Sequence, residues 1–256
     1  MCVMRQLIIN ADDFGEAAIS PGILEAHQKG VVTSATLLVN ANDVEANIAL
    51  AQKQHLPLGL HLNLTHGTPL SDASTLLHGD HFLERDAFVR ALEENRINPE
   101  DIRRETEAQL RWFTEHAGTP THIDGHNHVH ILPTVLDVLL PLARKYDVSF
   151  LRIPFSREGA PEAKAAVDAH GLKSNDHFIG LDFGWEKCTP NALEHALRSL
   201  EEGVTEYMVH LAHPDDLAGH PDLKGRVQEF TTLLGPRTIE IMQKEDIQLL
   251  SYADLV

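Results

Sequence analysis

Apolar residues recur along this chain in short, β-branched runs. Each run is followed by a longer stretch in which they return at helical spacing, the signature of βα units feeding a parallel sheet. Strands are expected at Arg5–Asn10, Ser34–Val39, Leu58–Leu62, Thr121–Asp124, Phe150–Ile153, His177–Leu181, Glu206–Leu211 and Ile247–Leu250. Helices are expected from Ser20-Pro21 toward Gly30, over Asp43–Lys53, Pro99–His116, Pro133–Tyr146 and Ala160–His170, from Thr189-Pro190, and over Lys224–Leu234. Ser or Thr followed by Pro suits a helix start, since proline presets the first turn and its missing N–H has no partner to lose there. The periodicity fades from Thr65 to about Phe82, so region 65–97 reads as an inserted loop or lid. No composition break marks a second lobe. Residues 1–256 therefore read as one α/β domain, a distorted TIM-like (β/α) barrel of seven or eight strands.

That fold collects the ionisable residues. Asp12 and Asp13 follow the first expected strand, His61 lies near the end of the third, His126 follows the fourth, Arg152 ends the fifth, and His210 and His213 end the strand at Glu206. In an α/β barrel the carboxyl ends of the strands share one face, where active sites are built. Asp12-Asp13 could cap a helix, but Phe14, Gly15 and further small residues separate the pair from the helix at Ser20. A lone histidine such as His61 in an apolar strand is more often a hydrogen-bonded core residue. In the run from His122 to His130 the even positions are His122, Asp124, His126, His128 and His130, too many for one ion. A catalytic zinc-type site takes about three protein ligands and leaves room for water, so the others would orient ligands or bind substrate, with Asp124 a suitable acceptor for a ligand imidazole.

Composition narrows the partners. The net charge of −17 repels phosphate backbones and anionic headgroups, which speaks against nucleic acid and membrane surfaces. Cys2 and Cys188 stand far apart and in no ligand spacing, as free thiols in a reducing compartment would. No apolar run is long enough for a membrane span and the first residues lack a secretory pattern, so the expected location is the cytoplasm.

Together, Asn10-Ala11-Asp12-Asp13-Phe14-Gly15, Gly30-Val31-Val32-Thr33-Ser34, Gly59-Leu60-His61, the run His122 to His130, Leu151-Arg152-Ile153 and His213-Pro214 resemble, in order and spacing, the YdjC-like carbohydrate deacetylases. That family includes chitooligosaccharide deacetylases and the hopanoid-associated HpnK proteins. The resemblance covers essentially the whole chain and implies a barrel related to polysaccharide deacetylases, often as a homodimer. It further implies one divalent metal ion, Mg²⁺ or Zn²⁺, on Asp13, His61 and His126, and a small soluble acetylated carbohydrate as substrate. Asp12 is then the general base and His213 the general acid, with Arg152 a partner of Asp12 or substrate, and Asp124 and His128 around the ligands. Asp215-Asp216 depart from the small and aromatic residues that chitooligosaccharide deacetylases carry there. Phe183-Gly184-Trp185 offers a sugar-stacking wall, with Trp185 its main candidate, whereas Trp112 on a helix reads as core.

Three other readings compete. Ala212-His213-Pro214-Asp215-Asp216 is also the metal motif of the LmbE-like zinc deacetylases, but there it follows the first strand and here one of the last. The same ligands would serve a phosphoesterase or amidohydrolase on another substrate. A sugar- or metal-binding protein without catalysis would have no use for Asp12 and His213.

Overall fold

A computed structural model describes residues 5–180, 187–218 and 223–255. In chain order the elements are β1 (Arg5–Phe14), α1 (Ser20–Gln28), β2 (Ser34–Leu37), α2 (Val44–Gln54), β3 (Leu58–Leu62), β4 (Leu77–His78), β5 (His81–Phe82), α3 (Arg85–Glu93) and α4 (Pro99–Ala117). They continue with β6 (Ile123–Gly125), α5 (Pro133–Lys145), α6 (Ala160–Ala169), β7 (His177–Ile179), α7 (Pro190–Arg198), β8 (Gly203–Val209), α8 (Lys224–Leu233), α9 (Pro236–Lys244) and β9 (Ile247–Leu250). Proline opens α4, α5, α7 and α9, and the Asn98 and Thr189 side chains cap α4 and α7 by accepting the Glu100 and Ala192 N–H groups.

Seven strands form one parallel sheet in the order β6-β3-β2-β1-β8-β7, with β9 beside β1. The lower half of β1 pairs with β9 (Arg5↔Ile247 to Ile8↔Leu250) and its upper half with β2 (Asn10↔Ser34 to Phe14↔Leu37). The opening between β6 and β7 is spanned by two single bridges, Ile123↔Leu151 and Phe150↔Lys173. The expected strand at Phe150–Ile153 is therefore only a pair of bridges, and Arg152 lies on irregular chain. The barrel is the expected kind, distorted at this seam.

Alternation on β1 divides the interior. Leu7, Ile9 and Ala11 join the main apolar core, whereas Ile8 belongs to a small cluster with Phe150 and Tyr252. Asn10 and Asp12, on the same face as Ile8, are buried among polar side chains. The barrel lumen above Ile8 is thus an ionic interior.

The segment 65–97 is more ordered than its sequence suggests, holding the β4–β5 hairpin and α3. Glu105 of α4, fully buried, accepts the Leu70 and Ser71 N–H groups and the Ser71 hydroxyl (2.6–3.1 Å). Asp101, one turn earlier, accepts the Thr75 N–H and hydroxyl at 2.9 and 2.7 Å. Two buried carboxylates thus fasten the segment to α4.

Candidate metal centre

Strand β1 runs through Asp12 and Asp13 to Phe14 rather than stopping at Asn10, because Phe14 still pairs with Leu37 after a break in register. The break is a bulge, with Asp13 at φ 63°, a left-handed conformation costly for most residues but tolerable for Asp. It lets consecutive carboxylates serve two neighbouring clusters.

Asp12 turns into the lumen. Arg152 donates from Nη2 to its Oδ1 at 2.6 Å and from Nη1 to its Oδ2 at 2.8 Å. Arg152 also reaches Asp124 (2.8 Å) and Glu206 (Nε to Oε1, 2.7 Å), and the Tyr252 hydroxyl donates to Glu206 Oε2 at 2.5 Å. Burial alone would raise the Asp12 pKa, but the guanidinium holds it well below the usual carboxylate range.

Asp13 faces the other way. Its Oδ1 lies 3.3 Å from His61 Nε2 and 3.2 Å from His126 Nδ1, and Arg226 of α8 donates from Nη2 to its Oδ2 at 2.6 Å. His61 Nδ1 is 2.7 Å from Asp124 Oδ1, its in-register neighbour across the β3–β6 pairing. Burial opposes charge on His61, yet Asp124 and Asp13 raise its pKa to about 10. Asp13 lies well below its ordinary range, against the push of burial, through the two imidazoles and Arg226.

Among the described residues, two sets of donor atoms are close enough to share an ion: Asp13, His61 and His126, and Asp12, His61 and Asp124. The second is fully buried and already holds a cation, the Arg152 guanidinium. The first opens on a cavity of about 280 Å³ lined by Asp13, Glu16, His66, His126 and Arg226. Its donors, two imidazole nitrogens and one carboxylate oxygen, fit a zinc-type ion, with Asp124 fixing the His61 ring from behind. A larger cavity of about 460 Å³ shares Glu16 and His66 with it and is lined by Asn40, Asn42, Asn63 and His81, with segment 65–97 forming one wall.

His213, expected beside these groups, points elsewhere. Its Nε2 lies 3.1 Å from Glu25 of α1, its Nδ1 accepts the Asp215 N–H at 3.2 Å, and its ring stands edge-on to Phe230. Gly22 explains this, for a Cβ there would come within 2.8 Å of the Ala212 and His213 backbone. Helix α1 therefore lies directly on this loop and brings Glu25 to the ring. By alternation continued one residue past β8, His210 falls on the lumen face with Glu206. It is half-buried, its pKa lowered to about 4 by desolvation against the pull of Asp12, with Arg226 adding to the fall.

His128 takes a left-handed backbone (φ 57°) and packs edge-on against Phe178, near the charge of Arg152 rather than among the three donors. Trp185, with Phe183, lies outside the described residues. Arg226, Glu206, Tyr252 and the orienting role of Thr36, whose hydroxyl donates to Asp124 at 2.9 Å, were not expected.

A curled parallel barrel with a carboxylate and two imidazoles converging at the carboxyl ends of its strands defines the class. Known proteins then place the chain within it. The model of YdjC-like proteins matches residues 6–244, and a carbohydrate deacetylase of Brevibacillus brevis is 35% identical over 98% of this chain and 99% of its own. A solved Enterococcus faecalis V583 structure, of a candidate cellobiose-phosphate cleavage protein, has a TM-score of 0.85 at 29% identity and covers 99% of each chain. A family 4 carbohydrate esterase from Streptomyces lividans shares the fold, with a TM-score of 0.50 at 11% identity over 96% of this chain and 91% of that one. The chain belongs to the YdjC-like family, and the carbohydrate deacetylase class expected from its motifs is that of its named relatives.

Proposed function

We propose that this chain hydrolyses the acetamide of an N-acetylated sugar or short oligosaccharide with one divalent ion on Asp13, His61 and His126. The observation that carries this reading is the convergence of those three donors beside a cavity that Asp13 and His126 line, next to but separate from the Arg152-bound Asp12. Two nitrogens and one oxygen favour a zinc-type ion over magnesium. Such an ion acidifies a bound water and polarises the acetamide carbonyl.

The remaining chemistry belongs to the side chains. Asp12, kept ionised by Arg152, accepts the proton of the attacking water. His210 replaces His213 as the group that protonates the departing amine. Burial keeps its imidazole neutral at rest; it takes up the proton that Asp12 removes from the water and passes it to the amine nitrogen as the C–N bond breaks. The larger cavity, rich in asparagine amides, offers both donors and acceptors to sugar hydroxyls and receives the body of the substrate. Among the described residues no helix is long and apolar enough to cross a membrane, in keeping with a small, diffusible sugar.

The test is acetate release from N-acetylglucosamine and its oligomers, with and without chelator, beside a phosphorylated disaccharide as a control for phosphate release. Chelator-sensitive acetate release supports the reading. Phosphate release with no acetate from any sugar overturns it.

A further inference from the structure

Asp13 divides its two oxygens between different partners. Oδ1 lies between the His61 and His126 nitrogens at 3.3 and 3.2 Å, while Oδ2 is held at 2.6 Å by Arg226. Arg226 is itself about nine-tenths buried, so its charge is poorly screened. It reaches Asp13 from α8, and one turn later Glu229 anchors the same helix to β8 by accepting the His210 N–H at 2.9 Å and the Tyr207 hydroxyl at 3.3 Å. Helix α8 is thereby set against both β1 and β8, with Arg226 lining the cavity that Asp13 and His126 share.

We propose that Arg226 tunes the metal centre: it reserves Asp13 Oδ2, leaves Oδ1 as the only carboxylate donor, and weakens metal binding in exchange for a more acidic ion. This rests on the assignment of Asp13, His61 and His126 as ligands. A carboxylate hydrogen-bonded to a guanidinium donates less charge to an ion than a free one, the reverse of the gain an imidazole ligand draws from a carboxylate behind it. A fixed positive charge one carboxylate away from a divalent cation also repels it. Both effects act in one direction. A group that merely held the fold would lower affinity and turnover together when removed, whereas Arg226 moves them oppositely.

The experiment measures Zn²⁺ affinity by chelator competition, the visible spectrum of the Co²⁺ form, and kcat. The proteins are wild type and the Arg226→Met, Arg226→Gln and Arg226→Lys variants, each checked for folding by circular dichroism. The two neutral variants are expected to bind Zn²⁺ about tenfold more tightly, because the repulsion of the ion by the fixed positive charge is lifted. Their kcat is expected to fall, and their Co²⁺ absorption to weaken as the freed carboxylate coordinates through both oxygens. Arg226→Lys, which keeps the charge, retains wild-type affinity. Weaker or unchanged Zn²⁺ binding in the neutral variants overturns the proposal. If neither neutral variant folds, Arg226→Lys decides: unchanged affinity supports it and a tenfold loss overturns it. Wild-type protein that binds no Zn²⁺ sinks the ligand assignment itself, whereas normal wild-type binding with weaker variants sinks only the role of Arg226.

Discussion

Arg152 grips both oxygens of Asp12, at 2.6 and 2.8 Å, in a lumen where the arginine is wholly buried and the carboxylate nearly so. The guanidinium also serves Asp124 and Glu206, so one positive charge is shared among three buried carboxylates. Removing it leaves uncompensated buried charge. Arg152→Met is expected to lose about 3–5 kcal/mol of stability. Asp12→Asn, which keeps the shape and a hydrogen-bonding oxygen, is expected to fold and bind metal yet lose at least about 10²-fold in kcat. Urea unfolding and acetate release check the pair, and an active Asp12→Asn protein removes Asp12 from the reaction.

His210 and His213 give a direct contrast. His210 lies close to Asp12, Asp13 and Arg226 in the buried site, whereas His213 is a partly exposed partner of Glu25. His210→Gln is expected to reduce kcat by about 10²-fold or more while retaining zinc, the loss typical of a proton-transfer group. His213→Ala removes a surface contact with Glu25 worth less than about 1 kcal/mol and leaves turnover near wild type. Steady-state kinetics on both variants decide, and the opposite ranking returns the proton donor to His213.

The ion needs the lone pair of His61, and Asp124 holds the ring from its far side at 2.7 Å. Asp124→Asn keeps a hydrogen-bonding group but removes the charge that stiffens the imidazole and raises its basicity. Zinc affinity is expected to fall about 10–100-fold. His126→Ala, which deletes a ligand, is expected to lose more. Metal content after dialysis against a weak chelator ranks the two, and a zinc-replete His126→Ala protein contradicts the site.

The strands and most helices were legible because their signals are local. Alternation marks β3 and β8, proline marks helix starts, and Asp13, His61 and His126 stand at strand ends that a barrel must bring together. Failures came where the cause is distant. The end of β1 looks like a loop because Asp12-Asp13 suits no strand, and only the pairing of Phe14 with Leu37 extends it. Arg226 reads as an ordinary helix charge, its partner being 213 positions earlier. Helix α3 and the β4–β5 hairpin hide among turn residues, and their anchors, Glu105 and Asp101, lie on another helix. His210 was different, for counting alternate positions from the buried Glu206 puts it, and not His213, on the lumen face.

Stability should depend on pH through the same buried groups, with opposite signs on either side of neutrality. His122, His128, His130 and His210 all have pKa values lowered from 6.5, with His130 at about 3 and His210 at about 4, because burial disfavours their cations. Below pH 6.5 the unfolded chain takes up protons these rings refuse, so their stabilisation, complete above 6.5, is lost as pH falls toward 4 and 3. Glu206 and Glu229 have raised pKa values and oppose this trend, but they are two groups against four. His61 acts in the other direction. Its pKa is raised to about 10, so its contribution is complete below 6.5 and fades as pH rises toward 10. Metal-free protein is therefore expected to melt at its highest temperature near neutral pH, falling toward pH 4 and more gently from pH 7 to 9. A bound ion replaces the proton on His61, so zinc should abolish the alkaline decline and steepen the acid side below pH 6.5, where the unfolded chain's ligand imidazoles take up protons. Calorimetric melts across that range, with chelator and with zinc, read both limbs, and a flat metal-free profile from pH 7 to 9 would show that His61 carries no extra proton.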